Sequence, residues 1–205
     1  MTFLLRFGAI SGAVCGLLLA APAAIEALTG ETAGTSFVLG IAPAAAPPLI
    51  TAVQLSQFHA AGRLGVIGYA VNLIGLGLFG GAAFTLNMAL FYLDQTALAE
   101  LLAGPTRLAL QFSAAVFVIG TVLFGVSMLR ARVHRPVLAL AYGVTLPVFA
   151  LLAPLPDTVF TSALHVLVGV ILVWLSRSVW TLTTQTSSAR SGSPELPPLA
   201  GQPGV

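Results

Sequence analysis

Long apolar runs separated by short polar interruptions dominate the chain. They cover Phe7 to Leu28, Phe37 to Phe58, Leu64 to Leu93, Leu108 to Leu129, Pro136 to Leu155 and Thr158 to Ser176. Each is close to the roughly 20 residues a helix needs to cross about 30 Å of hydrocarbon. The pattern predicts an all-α polytopic membrane bundle of six transmembrane helices over residues 1–180. Arg6 ahead of an apolar stretch and Ala21-Pro22-Ala23 have the form of a signal peptide. The apolar run continues past that point to Leu28 and five more follow, which favours an uncleaved first helix. Beyond Thr181 the residues turn to Ser, Thr, Pro and Gly. Such a segment buries too little apolar surface to offset chain ordering, so residues 181–205 are expected to be a disordered cytoplasmic tail.

Composition narrows the class. Of 205 residues, 58% are hydrophobic and 7% charged, against about 25% charged in soluble domains. This excludes a soluble globular protein, a nucleic-acid binder and a disordered chain. All eight basic residues are arginines, and the net charge of +2 is too small to point to an acidic partner. The lack of lysine, with abundant Ala, Gly, Pro and Arg, suggests a GC-rich bacterial genome. Six spans place Arg6, Arg63, Arg130, Arg132, Arg135, Arg177 and Arg190 on one side and Arg107 on the other. Positive charge is retained in short cytoplasmic loops, so both termini are expected to be cytoplasmic. Glu26, Glu31, Asp94, Glu100 and Asp157 fall on or near the opposite side. Cys15 is the single cysteine, which excludes an intramolecular disulfide and gives it a packing role.

Lipid tails are as apolar as leucine, so membrane helices associate through close backbone approach and polar contacts. Gly8, Gly12, Gly16 and Ala20 recur every four residues on the first helix, and Gly77 and Gly81 do so on the third. Both sets are expected to be helix contact faces. Gly75-Leu76-Gly77-Leu78-Phe79-Gly80 matches a dinucleotide fingerprint by letter, but it lies inside an apolar run rather than at a strand-to-helix turn, so it is assigned to packing. Pro43, Pro47 and Pro48 predict that the second span is kinked or begins late. A kink near the outer end is favoured over a break at membrane depth.

Polar residues within the spans define the candidate site. At 100° per residue, Glu26 shares the face of Gly8, Gly12 and Cys15, while Asn72, Asn87 and Asp94 share one with Gly65, Gly68 and Tyr69. On the sixth helix, Thr158, Thr161, Ser162, His165, Gly169 and Ser176 form the inward face, with Val159, Phe160, Leu164, Leu167 and Ile171 turned away. Ser113, Gly120 and Ser127 make a heptad stripe on the fourth. At 1.5 Å per residue, Glu26, Asn87, Asp94 and Asp157 lie near the outer boundary, with His165 roughly 10 to 12 Å beneath. These five are the candidate polar pocket; no catalytic residue can be named. His59 and His134 sit at cytoplasmic ends, so His59 and His165 are too far apart in depth to be axial ligands of one haem. No Ser-His-Asp or metal-ligand spacing occurs, and neither a cofactor nor a metal is expected.

Glu26-Ala27-Leu28-Thr29-Gly30-Glu31-Thr32, the run Asn72 to Gly81, and Ala153-Pro154-Leu155-Pro156-Asp157-Thr158 resemble small integral membrane proteins of actinobacteria. The resemblance covers most of residues 1–180. It implies a multi-pass protein of a bacterial plasma membrane and transfers no activity. Three functions compete. A non-enzymatic scaffold, accessory subunit or small permeation unit is favoured, and it predicts polar faces that close on each other without a cavity. A membrane enzyme acting on a lipid or isoprenoid would use Glu26, Asp94 or Asp157 as proton donor and His165 as base or orienting group, in an apolar pocket. A proton- or cation-coupled transporter would use the acidic outer mouth and His165 and would need to dimerise. The expected partners are the lipid bilayer and a second copy or another membrane protein, with no nucleic acid.

Overall fold

The computed structural model describes residues 1–153 and 158–191, with side chains described up to residue 184. All regular structure among these residues is helical: α1 (Thr2–Thr29), α2 (Ala33–Ile41), α3 (Pro47–Met88), α4 (Gln95–Ala103), α5 (Pro105–Ala131), α6 (Pro136–Leu152) and α7 (Val159–Ser191). Four helical stretches are long and apolar enough to cross a membrane: Thr2–Thr29, Ala33–Tyr92, Pro105–Ala131 and Val159–Thr184. The distribution of side-chain size supports that reading. In α1 the buried residues are Gly8, Ala9, Gly12, Cys15, Gly16, Leu19, Pro22 and Ala23, whereas Phe3, Phe7, Ile10 and Leu17 are exposed. Small residues inside and bulky apolar residues outside suit a lipid environment, where apolar groups gain nothing by leaving the surface. The chain is a helical membrane protein.

Ala33–Tyr92, at 60 residues, is about twice the length of each of the other three stretches. It folds back on itself at Gly62, whose φ of 56° and ψ of −152° interrupt α3 in a conformation that glycine adopts without a Cβ penalty. The Thr51 and Tyr69 hydroxyl oxygens are 3.0 Å apart, although 18 residues of unbroken helix would separate them by about 27 Å. Pro43 lies against Gly80, and Gly40 against Asn87 and Met88, so the arms before and after Gly62 run antiparallel.

The prolines act before the first arm. Pro43 sits in a 3-10 turn, Ala42–Ala45, between α2 and α3. Pro48 has no N–H, and Leu49 N–H donates to Ala46 O in 3-10 fashion. The Ala45 carbonyl is answered by the Ser11 hydroxyl of α1 at 2.7 Å, an interhelical repair of a proline-disrupted backbone.

The glycine ladder of α1 is a contact face. Gly8 packs on Pro48 and Ala52, Gly12 on Leu49 and Ser176, and Gly16 on Gly169 of α7. A Cβ at Gly16 would stand 2.5 Å from the Gly169 carbonyl oxygen. The Gly77 and Gly81 expectation is corrected: both are exposed, and a Cβ at either would meet nothing within 4 Å. The second arm instead meets α5 through Gly75 on the Phe117 backbone, while Gly120 of α5 lies on the Val71–Asn72 backbone. Ile171 is also corrected, being buried at the α7 interface rather than turned away. Helix α7 runs past Thr181 to Ser191, and residues 192–205 lie outside the described residues.

Candidate functional site

The arms, α1, α5, α6 and α7 line a partly open cavity of about 80 Å³, which corrects the expectation that the polar faces of a scaffold close on each other without one. Its walls are largely apolar, with Leu19, Ile50, Leu76, Leu146 and Leu172 among the lining residues. An aromatic series follows one side. Phe117 stacks on Phe79 with centroids 4.8 Å apart, Phe149 meets Phe79 edge-on at 5.9 Å, and His165 meets Phe149 edge-on at 4.7 Å. The cavity is smaller than the roughly 150 Å³ engineered space that accepts benzene.

Two of the five expected site residues, Asn87 and His165, line this cavity. Asn87 ends the second arm, and its Nδ2 donates to Ala83 O at 2.9 Å. His165 Nδ1 lies 2.9 Å from Thr161 O. A carbonyl only accepts, so Nδ1 carries a proton. Glu26 is half-buried near the end of α1 and is not part of the lining.

Asp94 must be corrected: it does not share a helical face with Asn87. Helix α3 ends at Met88, a 3-10 turn follows at Leu90–Tyr92, and Asp94 is the exposed N-cap of α4. Its carboxylate accepts from Thr96 N and Ala97 N, both at 2.9 Å, which are two of the donors that a helix start leaves unmatched. Asp157 lies outside the described residues.

At the cavity wall, Asn72 Nδ2 donates to the Tyr142 hydroxyl at 2.7 Å, and Thr121 Oγ1 lies 3.0 Å from Asn72 Oδ1 and 2.7 Å from Phe117 O, which share its single hydrogen. Asn72, Tyr142 and Thr121 are fully buried or nearly so. This network joins the second arm, α5 and α6, so Asn72 serves as interhelical adhesive.

The other end of the bundle holds polar residues to which the sequence pattern assigns no role. His134, in the connection between α5 and α6, is 3% exposed. Its Nε2 lies 3.0 Å from Ser56 Oγ and its Nδ1 2.9 Å from Ser178 Oγ. The Ser56 hydroxyl donates to Val53 O at 2.7 Å. It therefore accepts from His134 Nε2–H, and Ser178 donates to Nδ1. One neutral imidazole thus ties the first arm, the α5–α6 connection and α7. Burial pushes its pKa down to about 4 because the charged form would lose its hydration.

At the same end, Arg6 Nε donates to Thr183 Oγ1 at 3.5 Å, and its guanidinium lies 5.4 Å from the Trp180 ring centroid. Arg63 follows the Gly62 turn, Arg130, Arg132 and Arg135 flank the α5–α6 connection, and Arg177 precedes Ser178. Arg6, Arg63, Arg130, Arg132, Arg135 and Arg177 thus lie toward one end of the molecule, and Arg107, at the start of α5, lies toward the other.

Gln54 and Gln57 are 5% and 1% exposed. Gln57 Nε2 reaches Ser127 Oγ only at 3.4 Å, while Gln57 Oε1 and both polar atoms of Gln54 are buried without a hydrogen-bond partner. Leaving such a group unmatched costs about 1 to 3 kcal/mol. The available signal was two carboxamides one turn apart in an apolar run. Among the described residues, no three His, Cys, Asp or Glu side chains converge into a metal-binding group. No family model, curated protein or solved structure matches the chain.

Proposed function

We propose that the chain is a six-span, non-enzymatic protein of a bacterial plasma membrane that holds the end of an alkyl or isoprenoid chain in its central cavity. The six spans are α1, the two arms joined at Gly62, α5, α6 and α7. The gathered arginines support cytoplasmic placement of their end and of both termini. The reading rests on one observation: the cavity is walled by apolar and aromatic groups, with Asn87 and His165 in its lining. An apolar body with a polar end group matches that lining.

Catalysis is less well supported. Asp94 is engaged in capping α4, and Glu26 is outside the lining. Of the acids that would have served as proton donors, neither of these reaches His165's cavity. Acting as an accessory subunit beside another membrane protein, or as a second copy's partner, is compatible with a ligand held this way.

The test is the thermal stability of purified protein titrated with medium-chain alcohols, fatty acids and isoprenols. A ligand is expected to raise the melting temperature of wild type by several degrees, and both His165→Ala and the cavity-filling Ala83→Phe are expected to abolish the rise. A wild-type protein unmoved by every probe overturns the reading.

A further inference from the structure

Gln54 and Gln57 lie three residues apart on the face of the first arm that also carries the buried residues Ile50, Val53 and Ala61. Gln54 reaches the second arm, where its Nε2 and Oε1 each stand 3.5 Å from a Cβ position at Gly65. Gln57 reaches α5, where Ser127 already donates its hydroxyl hydrogen to Phe124 O at 2.7 Å. Ser127 can therefore accept from Gln57 but cannot answer its Oε1. The unmatched atoms are one donor group, Gln54 Nε2, and two acceptors, Gln54 Oε1 and Gln57 Oε1.

The chemistry of these three atoms discriminates among ligands. A metal cation would satisfy the two oxygens and repel the amide hydrogens of Gln54. An anion would satisfy those hydrogens and face two carbonyl oxygens. A small neutral molecule that both donates and accepts answers all three, and buried waters typically make about three hydrogen bonds to otherwise unmatched polar groups. We propose that Gln54 and Gln57 form a water-binding site between the two arms of the Gly62 hairpin and α5. The bound water links the carboxamides, so the site fastens the hairpin to α5 through solvent.

The site is tested on the full chain in lipid nanodiscs. In wild type, the side-chain amide protons of Gln54 and Gln57 are expected to show direct NMR cross-relaxation with water, with the sign of a slowly exchanging bound molecule. Gln54→Met and Gln57→Met should each lower the melting temperature, and the double variant should lose less than the sum of the two, because either change disrupts the shared water.

Three results overturn the proposal. One is an absence of water cross-peaks, whether or not the amides contact each other. Another is a rise in melting temperature in the single variants, as expected where an uncompensated amide has been removed. The third is a wild-type melting temperature that shifts when sodium replaces choline at constant ionic strength, which would make the occupant a cation. The NMR measurement needs no variant, so it decides the matter even if the substitutions prevent folding.

Discussion

The two ends of the bundle use their polar side chains differently. At the arginine-bearing end, the hydrogen bonds connect distant parts of the chain: Arg6 with Thr183, Ser56 and Ser178 with His134, Gln57 with Ser127. At the opposite end, several hydrogen bonds are local. Asp94 caps its own helix, Asn87 bonds to Ala83 and His165 to Thr161. Thr32 and Thr35 form a capping box, and Ser36 donates to Glu31 at 2.5 Å. Long-range bonds hold helices to each other, whereas local bonds only finish individual helices. The arginine end therefore carries a set of side-chain ties between distant segments, with His134 as a clamp.

The sharpest way to break this contrast is to remove the clamp. His134→Ala deletes two interhelical hydrogen bonds and leaves a void, and it should cost about 3 kcal/mol of unfolding free energy by reversible denaturation in mixed micelles. A loss below about 1 kcal/mol would mean that His134 is not a clamp.

Acid should act on the same residue. The imidazole titrates near 4 when folded and near 6.5 when exposed, so between these values the unfolded chain binds the extra proton and stability falls as pH falls. The loss should reach about 2 kcal/mol by pH 5 relative to pH 7.5, and be flat over that range in His134→Asn.

At the other end, Asp94→Ala should cost about 1 kcal/mol, as for a helix N-cap. Its effect on hydrogen exchange should stay within α4, since the bonds it removes are local; protection lost in α1 or α7 would contradict the contrast.

The smallest effect is expected for Thr32→Ala, about 0.5 to 1 kcal/mol. It should leave ligand-induced stabilisation intact, while His165→Ala should remove it.

The helical class and the apolar segments were legible in the sequence because lipid imposes long runs with polar breaks. The break between Phe58 and Leu64 contains Gly62, where the chain turns. Glycine spacing was legible on α1 and misleading on the second arm, for one physical reason. Spacing reveals that a face is narrow enough for close approach, but not which way that face is turned. Gly77 and Gly81 share the interval of Gly12 and Gly16, yet α5 packs on the Gly75 side.

Of the site, Asn87 and His165 emerged from helical rotation because each lies within a regular helix. Asp94 did not, since rotation cannot be carried through the 3-10 turn that ends α3. His134 was placed at a helix end, but its bridging role was not legible because its burial depends on how the α5–α6 connection folds, with Arg132 in the left-handed region at φ 54°. No periodicity encodes that.

The seams between helices also determine how the protein can vary over generations. Where Gly16 meets Gly169 and Gly75 meets Phe117, backbone lies against backbone. Every codon change away from glycine adds volume, so mutation at these positions can only wedge the helices apart. A soluble core is damaged mostly by truncation; here the heaviest mutational load falls on enlargement, and the bulky lipid-facing residues are free to drift.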